Sequence, residues 1–81
     1  MSITIFLADD HAVVRDGLRL LLEAEPDLRV VGDAANGQEA VRQVARLCPD
    51  VVVMDIAMPE LDGIEAARRI GEVCPSTQVI I

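Results

Sequence analysis

The sequence predicts an α/β fold built on a doubly wound parallel sheet. Short apolar runs that suit β-strands alternate along the chain with segments of helical periodicity, which is the pattern of βα units. The apolar runs are continuous, as expected for parallel strands that are buried on both faces. A proline follows each helical segment and marks its end. We therefore expect the order βαβαβαβ, with right-handed crossovers that place helices on both faces of the sheet.

Each of the seven elements rests on a local pattern. The predicted strands are Ile3–Ala8, Leu28–Ala34, Val51–Met54 and residues 78–81, the last taken as the start of a strand. Asn36 with Glu39, and Asp62 with Glu65, form capping pairs that open the second and third helices. The apolar helix faces are expected to be Val14, Leu18, Leu21 and Leu22 in the first helix, Val41, Val44, Ala45 and Cys48 in the second, and Ile64, Ala67, Ile70 and Cys74 in the third.

The composition indicates one small domain with an aliphatic core. The chain has 81 residues, of which 52% are apolar, with one Phe and neither Trp nor Tyr. Its formal net charge is −7, and every cationic side chain is an arginine. This acidity argues against binding to nucleic acid or to anionic membranes, because both require positive charge on the protein. The arginines are expected at the solvated surface, where Arg15 and Arg19 could also contribute to a face that contacts a partner.

Features of secreted and membrane proteins are not apparent in the sequence. The first residues lack the basic start and long apolar run of a signal peptide, and no run is long enough to span a membrane. The expected location is therefore the cytoplasm. Cys48 and Cys74 are neither a CxxC pair nor part of a dense disulfide framework, so we expect reduced, partly buried thiols.

Acidic residues come directly after two of the predicted strands. Asp9 and Asp10 come after the first strand, and Asp55 comes after the third. In the strand order 2-1-3-4 these strands are neighbours at the switch point, where ligands bind such sheets. Each like-charge contact at about 4 Å would cost roughly 4 kcal/mol, so a divalent cation such as Mg²⁺ is the natural counter-charge. Taken singly, each of these aspartates could instead be a helix cap or a turn residue.

Three motifs together resemble the receiver domain of bacterial two-component response regulators. They are Leu7-Ala8-Asp9-Asp10-His11, Val53-Met54-Asp55-Ile56-Ala57-Met58-Pro59 and Leu61-Asp62-Gly63. The run from Asp10 to Leu18 is similar to the subgroup with a LuxR/NarL-type effector. The resemblance implies a flavodoxin-like (CheY-like) fold, and a signalling domain that is not an enzyme in its own right.

The resemblance also implies a role for each site residue. Asp55 would be the phosphoacceptor. Asp10, Asp55 and the backbone carbonyl of Ala57 would bind Mg²⁺, while Asp9 would help through water or from the second coordination sphere. The small Ala57 side chain would shield the acyl phosphate poorly and permit fast hydrolysis. No chemical role is expected for His11, because the phosphodonor in this family is a histidine of a separate sensor kinase.

The same resemblance implies that residues 1–81 are the N-terminal two thirds of a receiver domain. We expect the fifth strand, the last two helices and the effector domain to be absent, together with the Ser or Thr and the Lys that bind the phosphoryl group. The fourth strand would then be an unprotected edge, so we expect a homodimer or a segment-swapped oligomer. DNA would be bound only through the missing effector, and no contact with a membrane is expected.

The sequence leaves one other function open and argues against two more. A truncated interaction module with an idle Asp55 stays open as the alternative. A Mg²⁺-dependent phosphohydrolase is disfavoured, because its best-known family has a second Asp where this chain has Ala57. A nucleotide-binding domain is disfavoured too, since the sequence contains neither a GxGxxG nor a GxxxxGK[ST] loop.

Overall fold

The computed structural model describes residues 2–81 and contains the seven predicted elements in the predicted order. The strands are β1 (Ile3–Ala8), β2 (Leu28–Ala34), β3 (Val51–Met54) and β4 (Gln78–Ile80). The helices are α1 (Ala12–Glu23), α2 (Gly37–Leu47) and α3 (Gly63–Val73). None of these helices is both long enough and apolar enough to pass through a bilayer.

The four strands form one parallel sheet in the order β2-β1-β3-β4, which confirms the predicted topology. Ala8, the last residue of β1, pairs with Ala34 of β2 on one side and with Met54 of β3 on the other. The three strands β2, β1 and β3 therefore end at the same level. The residues just past β1 and β3 are thus brought side by side, which is the condition for a shared site.

Side chains of β1 alternate between two apolar layers. Phe6 and Ala8 face the layer under α2 and α3, whereas Ile5 and Leu7 face the layer under α1. The α2/α3 layer holds most of the fully buried side chains, including those of Val44 and Ile70. Burial of apolar side chains is the main stabilising term for such a small domain. The sheet is consequently well covered on the α2/α3 face and thinly covered on the α1 face.

Both predicted helix caps are confirmed. The side chain of Asn36 accepts a hydrogen bond of 2.8 Å from the Glu39 amide, and Asp62 accepts one of 2.9 Å from the Glu65 amide. Each cap satisfies an amide group that would otherwise lack a partner in the first helical turn. The two caps fix where α2 and α3 begin.

The predicted apolar faces are only partly right. Leu18 and Leu22 pack against the sheet, but Val14 and Leu21 are 44% and 72% exposed, and α1 has no fully buried residue. The helix is rotated so that the partly buried Arg15 and Arg19 also face inward, where Arg19 pairs with Asp33 at 2.6 Å. The expectation that these arginines are solvated is therefore wrong. In α2 and α3 the buried residues are Gly37, Ala40 and Val44, and Gly63, Ala66 and Ile70; Ala45, Cys48 and Ile64 are exposed.

Cys48 and Cys74 are joined by a disulfide bond, with Cα atoms 5.7 Å apart. The expectation of reduced thiols is thus contradicted. The physical reason is positional: the two residues are the C-caps of α2 and α3, which are neighbouring helices on one face of the sheet. The bond ties the carboxyl ends of these two helices together.

Candidate functional site

Three aspartates meet at the carboxyl end of the sheet. The Asp9 amide donates to the Ala34 carbonyl, 3.1 Å away, and the Asp55 amide donates to the Ala8 carbonyl, 2.8 Å away. These bonds extend the ladders of the sheet by one residue and fix both backbones. Asp9, Asp10 and Asp55 are therefore placed by β1 and β3, as the sequence predicts.

The side chain of His11 lies among these carboxylates. Its Nδ1 atom is 2.9 Å from Oδ1 of Asp9, 3.0 Å from Oδ1 of Asp10 and 4.0 Å from Oδ2 of Asp55. The His11 backbone amide also donates to Asp9 Oδ1 at 2.8 Å. The Asp9 carboxylate therefore contacts both the backbone and the ring of His11. One ligand atom from each of the four residues lies within 4.8 Å of all the others.

The carboxylates of the cluster change the pKa of the His11 imidazole. The hydrogen bond to Asp9 raises the pKa of His11 above its usual range, and the negative charges of Asp10 and then Asp9 raise it further. The His11 side chain is 66% exposed, whereas that of Asp9 is 16% exposed. Arg15 is close as well, but its guanidinium donates to the backbone carbonyl of Asp9 at 2.6 Å. Among residues 2–81, the His11 imidazole is thus the one basic side chain within 4.0 Å of these carboxylates.

The loop after β3 orients the Asp55 carboxylate. Oδ1 of Asp55 accepts a hydrogen bond of 3.2 Å from the Ala57 amide, and this leaves Oδ2 as the oxygen that faces His11. Farther along, the Gly63 amide donates to the Ile56 carbonyl at 2.8 Å. A Cβ atom at Gly63 would lie 2.8 Å from the Ile56 Cα and closer still to the Asp55 carbonyl. Gly63 is therefore required by the close approach of α3 to this loop.

The donor set fits a hard divalent cation. Carboxylate oxygens are the ligands that Mg²⁺ and Ca²⁺ prefer, and three of them converge here at partly exposed positions. Beside Asp9 and Asp55 a cavity of about 180 Å³ opens toward α1, lined also by Leu18 and Met54. The cluster thus offers oxygen ligands for a cation, and its exposed side remains open to water.

The site agrees with the sequence in most of its residues. Asp9, Asp10 and Asp55 converge as expected, and Ala57 is exposed beside Asp55. A role for the Ala57 carbonyl as a ligand stays a prediction. Met58 is buried in the core, and Asp62 opens α3 as expected. Sequence reasoning missed the contact of His11 and the inward position of Arg15. The only available signal for His11 was its place directly after an acidic pair.

The chain belongs to the response regulator receiver domain family, which matches residues 5–81. It is 47% identical over 77 residues to the uncharacterized transcriptional regulatory protein YhcZ of Bacillus subtilis, a match that covers 95% of this chain and 36% of YhcZ. It is 51% identical over 63 residues to the transcriptional regulatory protein LiaR of the same organism, covering 78% of this chain and 30% of LiaR. The chain therefore spans about a third of these relatives.

Related solved structures share the fold. The response regulator domain of Thermotoga maritima CheB is 42% identical with a TM-score of 0.92, covering 98% of this chain and 58% of that chain. A LuxR-family response regulator from Aurantimonas is 40% identical with a TM-score of 0.90, covering 98% and 56%. A third relative, in a CheX–CheY–BeF3–Mg complex from Borrelia burgdorferi, is 28% identical with a TM-score of 0.89, covering 95% and 58%. The fold is thus that of receiver domains, including LuxR-type regulators.

Activities differ among longer family members. A protein-glutamate methylesterase/protein-glutamine glutaminase from Nocardioides is 52% identical over 64 residues, but this match covers only 18% of that protein. The matched segment is therefore a receiver domain that occurs both in transcriptional regulators and in an enzyme whose remaining parts are different. The receiver domain by itself does not determine the activity of the whole protein.

Proposed function

We propose that this chain is a phosphoacceptor domain in which Asp55 takes a phosphoryl group from a sensor histidine kinase. The observation that carries the proposal is the convergence of Asp9, Asp10 and Asp55 at the ends of two adjacent parallel strands, with ligand atoms within 4.8 Å. Carboxylates this close repel one another, and a bound Mg²⁺ would offset the repulsion. The magnesium of the related Borrelia complex supports this choice of cation.

The chemistry requires one nucleophile and a held cation. A carboxylate oxygen of Asp55 forms a bond to phosphorus while the bond from phosphorus to the donor nitrogen breaks, and the donor keeps that electron pair. Asp10, Asp55 and the Ala57 carbonyl would hold Mg²⁺, with Asp9 acting through water. When bound, the cation would neutralise charge on the phosphoryl oxygens. The Ala57 amide fixes one Asp55 oxygen, so the carboxylate is oriented before the donor arrives.

The output of the domain is inferred from its relatives. YhcZ and LiaR are transcriptional regulatory proteins, and the chain covers 36% and 30% of them. We propose that residues 1–81 are the N-terminal two thirds of a receiver domain, which would control a DNA-binding effector domain in a longer cytoplasmic regulator. The coverage of 58% and 56% of related solved chains supports this division. Contact with DNA would belong to that effector and not to residues 1–81.

Phosphoryl uptake from acetyl phosphate with Mg²⁺ tests the proposal. We expect the intact mass to rise by one phosphoryl group in the wild-type chain and to stay unchanged in Asp55→Asn. Asp10→Asn should slow uptake by about tenfold or more, as loss of a metal contact commonly does. The matched control is Asp16→Asn, because Asp16 is an exposed aspartate on α1 outside the cluster.

Uptake that persists in Asp55→Asn would overturn the assignment of the acceptor. A wild-type chain that takes up nothing, while a longer chain of the same protein does, would favour the interaction module. Exposed apolar side chains on α1 and β4 are the observation that favours this second candidate. In that case residues 1–81 would pair with another chain and Asp55 would stay chemically idle.

A further inference from the structure

Arg15 of α1 contacts the backbone of the acidic segment that follows β1. Its own amide donates to the His11 carbonyl at 3.0 Å, which places Arg15 in the first turn of the helix. From there Nη1 donates to the Asp9 carbonyl at 2.6 Å, and Nε lies 4.0 Å from Oδ1 of Asp33 in β2. The Arg15 side chain is only 18% exposed. Arginine is rarely buried unless it is paired, so these two contacts account for its inward position.

The Asp9 carbonyl belongs to the same peptide group as the Asp10 amide. Because a peptide group is planar and rigid, a hydrogen bond to its oxygen also restricts where the Asp10 Cα lies. The next peptide group is held as well, since the His11 amide donates to Oδ1 of Asp9 at 2.8 Å. The peptide groups on either side of Asp10 are therefore each fixed by one hydrogen bond. Together they set the direction in which the Asp10 side chain leaves the backbone.

The Asp10 carboxylate has few contacts of its own. It is 33% exposed, and within residues 2–81 the basic group beside it is the exposed His11 ring, at 3.0 Å. A side chain held so loosely can change rotamer, so its approach to a cation depends on a fixed backbone. The hydrogen bond from Arg15 is one of the two that fix that backbone.

We propose that Arg15 is a positioning residue that holds the Asp9–Asp10 peptide group so that the Asp10 carboxylate is directed at the cation. The inference rests on the Mg²⁺ site of the proposed function and adds the residue that orients one of its ligands. Arg15 acts through the backbone of Asp9, and its partial burial between Asp33 and the acidic segment keeps the guanidinium in place.

The charge of Arg15 and its hydrogen bond act on Mg²⁺ in opposite directions. A positive charge near the site repels the cation, so removal of the charge alone would strengthen Mg²⁺ binding. Loss of the hydrogen bond frees the Asp9–Asp10 peptide group and would weaken Mg²⁺ binding. Loss of a residue that orients a metal ligand commonly costs about tenfold in affinity or more. The sign of the change therefore distinguishes a positioning residue from a simple charge.

Mg²⁺ titration of the 81-residue chain, followed by its amide NMR signals, tests the inference in Arg15→Met. Methionine keeps a long apolar side chain and removes the donors. We expect Mg²⁺ affinity to fall about tenfold. Before any metal is added, the Asp9 carbonyl and Asp10 amide signals should already be shifted from those of the wild type, because the hydrogen bond is lost.

Arg19→Met is the matched control. Arg19 also faces inward from α1 and donates to Oδ2 of Asp33 at 2.6 Å, but it has no hydrogen bond to Asp9. Its loss should change Mg²⁺ affinity by less than about twofold, because a partly exposed charge is screened by solvent and salt. Urea denaturation of both variants verifies that each affinity is measured on a folded chain.

Phosphoryl uptake from acetyl phosphate gives a second readout. Arg15→Met should need about tenfold more Mg²⁺ to reach its half-maximal rate, and added Mg²⁺ should restore most of the lost rate. A variant that was merely less stable would not recover in this way, since Mg²⁺ concentration would then limit it no more than the wild type.

The outcomes separate this inference from the proposed function. Unchanged or stronger Mg²⁺ binding in Arg15→Met would overturn the inference, and so would an equal loss of affinity in Arg15→Met and Arg19→Met. In both cases the proposed function stands if the wild-type chain binds Mg²⁺ and takes up a phosphoryl group. If the wild-type chain binds no Mg²⁺ and takes up no phosphoryl group, the metal site fails and the inference fails with it.

Discussion

Gly63 is the residue at which α3 comes closest to the backbone at Asp55 and Ile56. A methyl group at this position would overlap the Asp55 carbonyl and press on the Ile56 Cα. We expect Gly63→Ala to lower the free energy of unfolding by about 1–3 kcal/mol, the usual cost of overpacking. The displaced loop should also slow phosphoryl uptake by Asp55. Denaturant unfolding and the acetyl phosphate assay measure the two effects separately.

Gly71 provides the matched control in the same helix. A methyl group there would have nothing within 4 Å. Gly71→Ala should stabilise the chain by up to about 1 kcal/mol, because alanine is the better helix former, and phosphoryl uptake should be unchanged. If both alanine variants behave alike, the close approach of α3 to the acceptor loop does not matter for stability or for uptake.

The positions of site residues could be predicted from the sequence where the end of a strand determines them. Contacts that depend on the rotamer of a side chain could not be predicted. Asp9, Asp10 and Asp55 could be placed together because parallel strands bring their carboxyl ends to one edge. His11 could not, because its position in sequence does not decide whether the ring points to solvent or into the cluster. In the structure the ring lies against the carboxylates, and the hydrogen bond to Asp9 followed by the charges of Asp10 and Asp9 raises its pKa.

Among the contacts that join secondary-structure elements, we expect the disulfide between Cys48 and Cys74 to have the largest effect on stability. It closes a loop with a sequence separation of 26 residues between the ends of α2 and α3. Cross-linking a loop of that length stabilises a fold by about 3 kcal/mol, mainly by restricting the unfolded chain. We expect reductant to lower the free energy of unfolding by this order, as measured by urea denaturation with and without a dithiol.

Cys48→Ser is the control for this prediction. Cys48 is the exposed partner of the pair, whereas Cys74 is buried, so the substitution at Cys48 disturbs the core least. The variant should match the reduced wild-type chain and show no further response to reductant. If alkylation of the native chain labels both cysteines without reductant, the bond is absent from the purified protein. A reducing environment would favour the open form.

The bounds of helices and strands could be predicted where they depend on a few adjacent residues. Caps at Asn36 and Asp62 depend on a few adjacent residues, and the strand runs are continuous, so their positions agree with the structure. The inward face of each helix depends on its neighbours and is not encoded locally. The disulfide had a signal in the repeated Cys-Pro after α2 and α3, since successive helices on one face of a parallel sheet end side by side.

At the scale of the whole molecule, α1 is a poorly covered part of the fold, with no fully buried residue. Besides the face that packs on β2, it carries a second apolar face with Val13, Leu20 and Leu21 exposed by 84%, 76% and 72%. Gly17 lies on the same side with open space around it. Within residues 2–81 no element covers this surface, and Ile80 of β4 is 56% exposed as well. Contiguous exposed apolar surface of this kind marks an interaction site.

This surface leads us to expect that the isolated 81-residue chain self-associates. Burying the second α1 face against another copy would remove apolar side chains from water, so the dimer fraction should rise with protein concentration. Sedimentation velocity over a concentration series measures it. Leu20→Glu combined with Leu21→Glu should shift the chain to monomer, whereas Ile64→Glu, at an exposed position on α3, should leave association unchanged. A wild-type chain that stays monomeric at every concentration would contradict the expectation. Association lost equally in both variants would place the contact elsewhere than on α1.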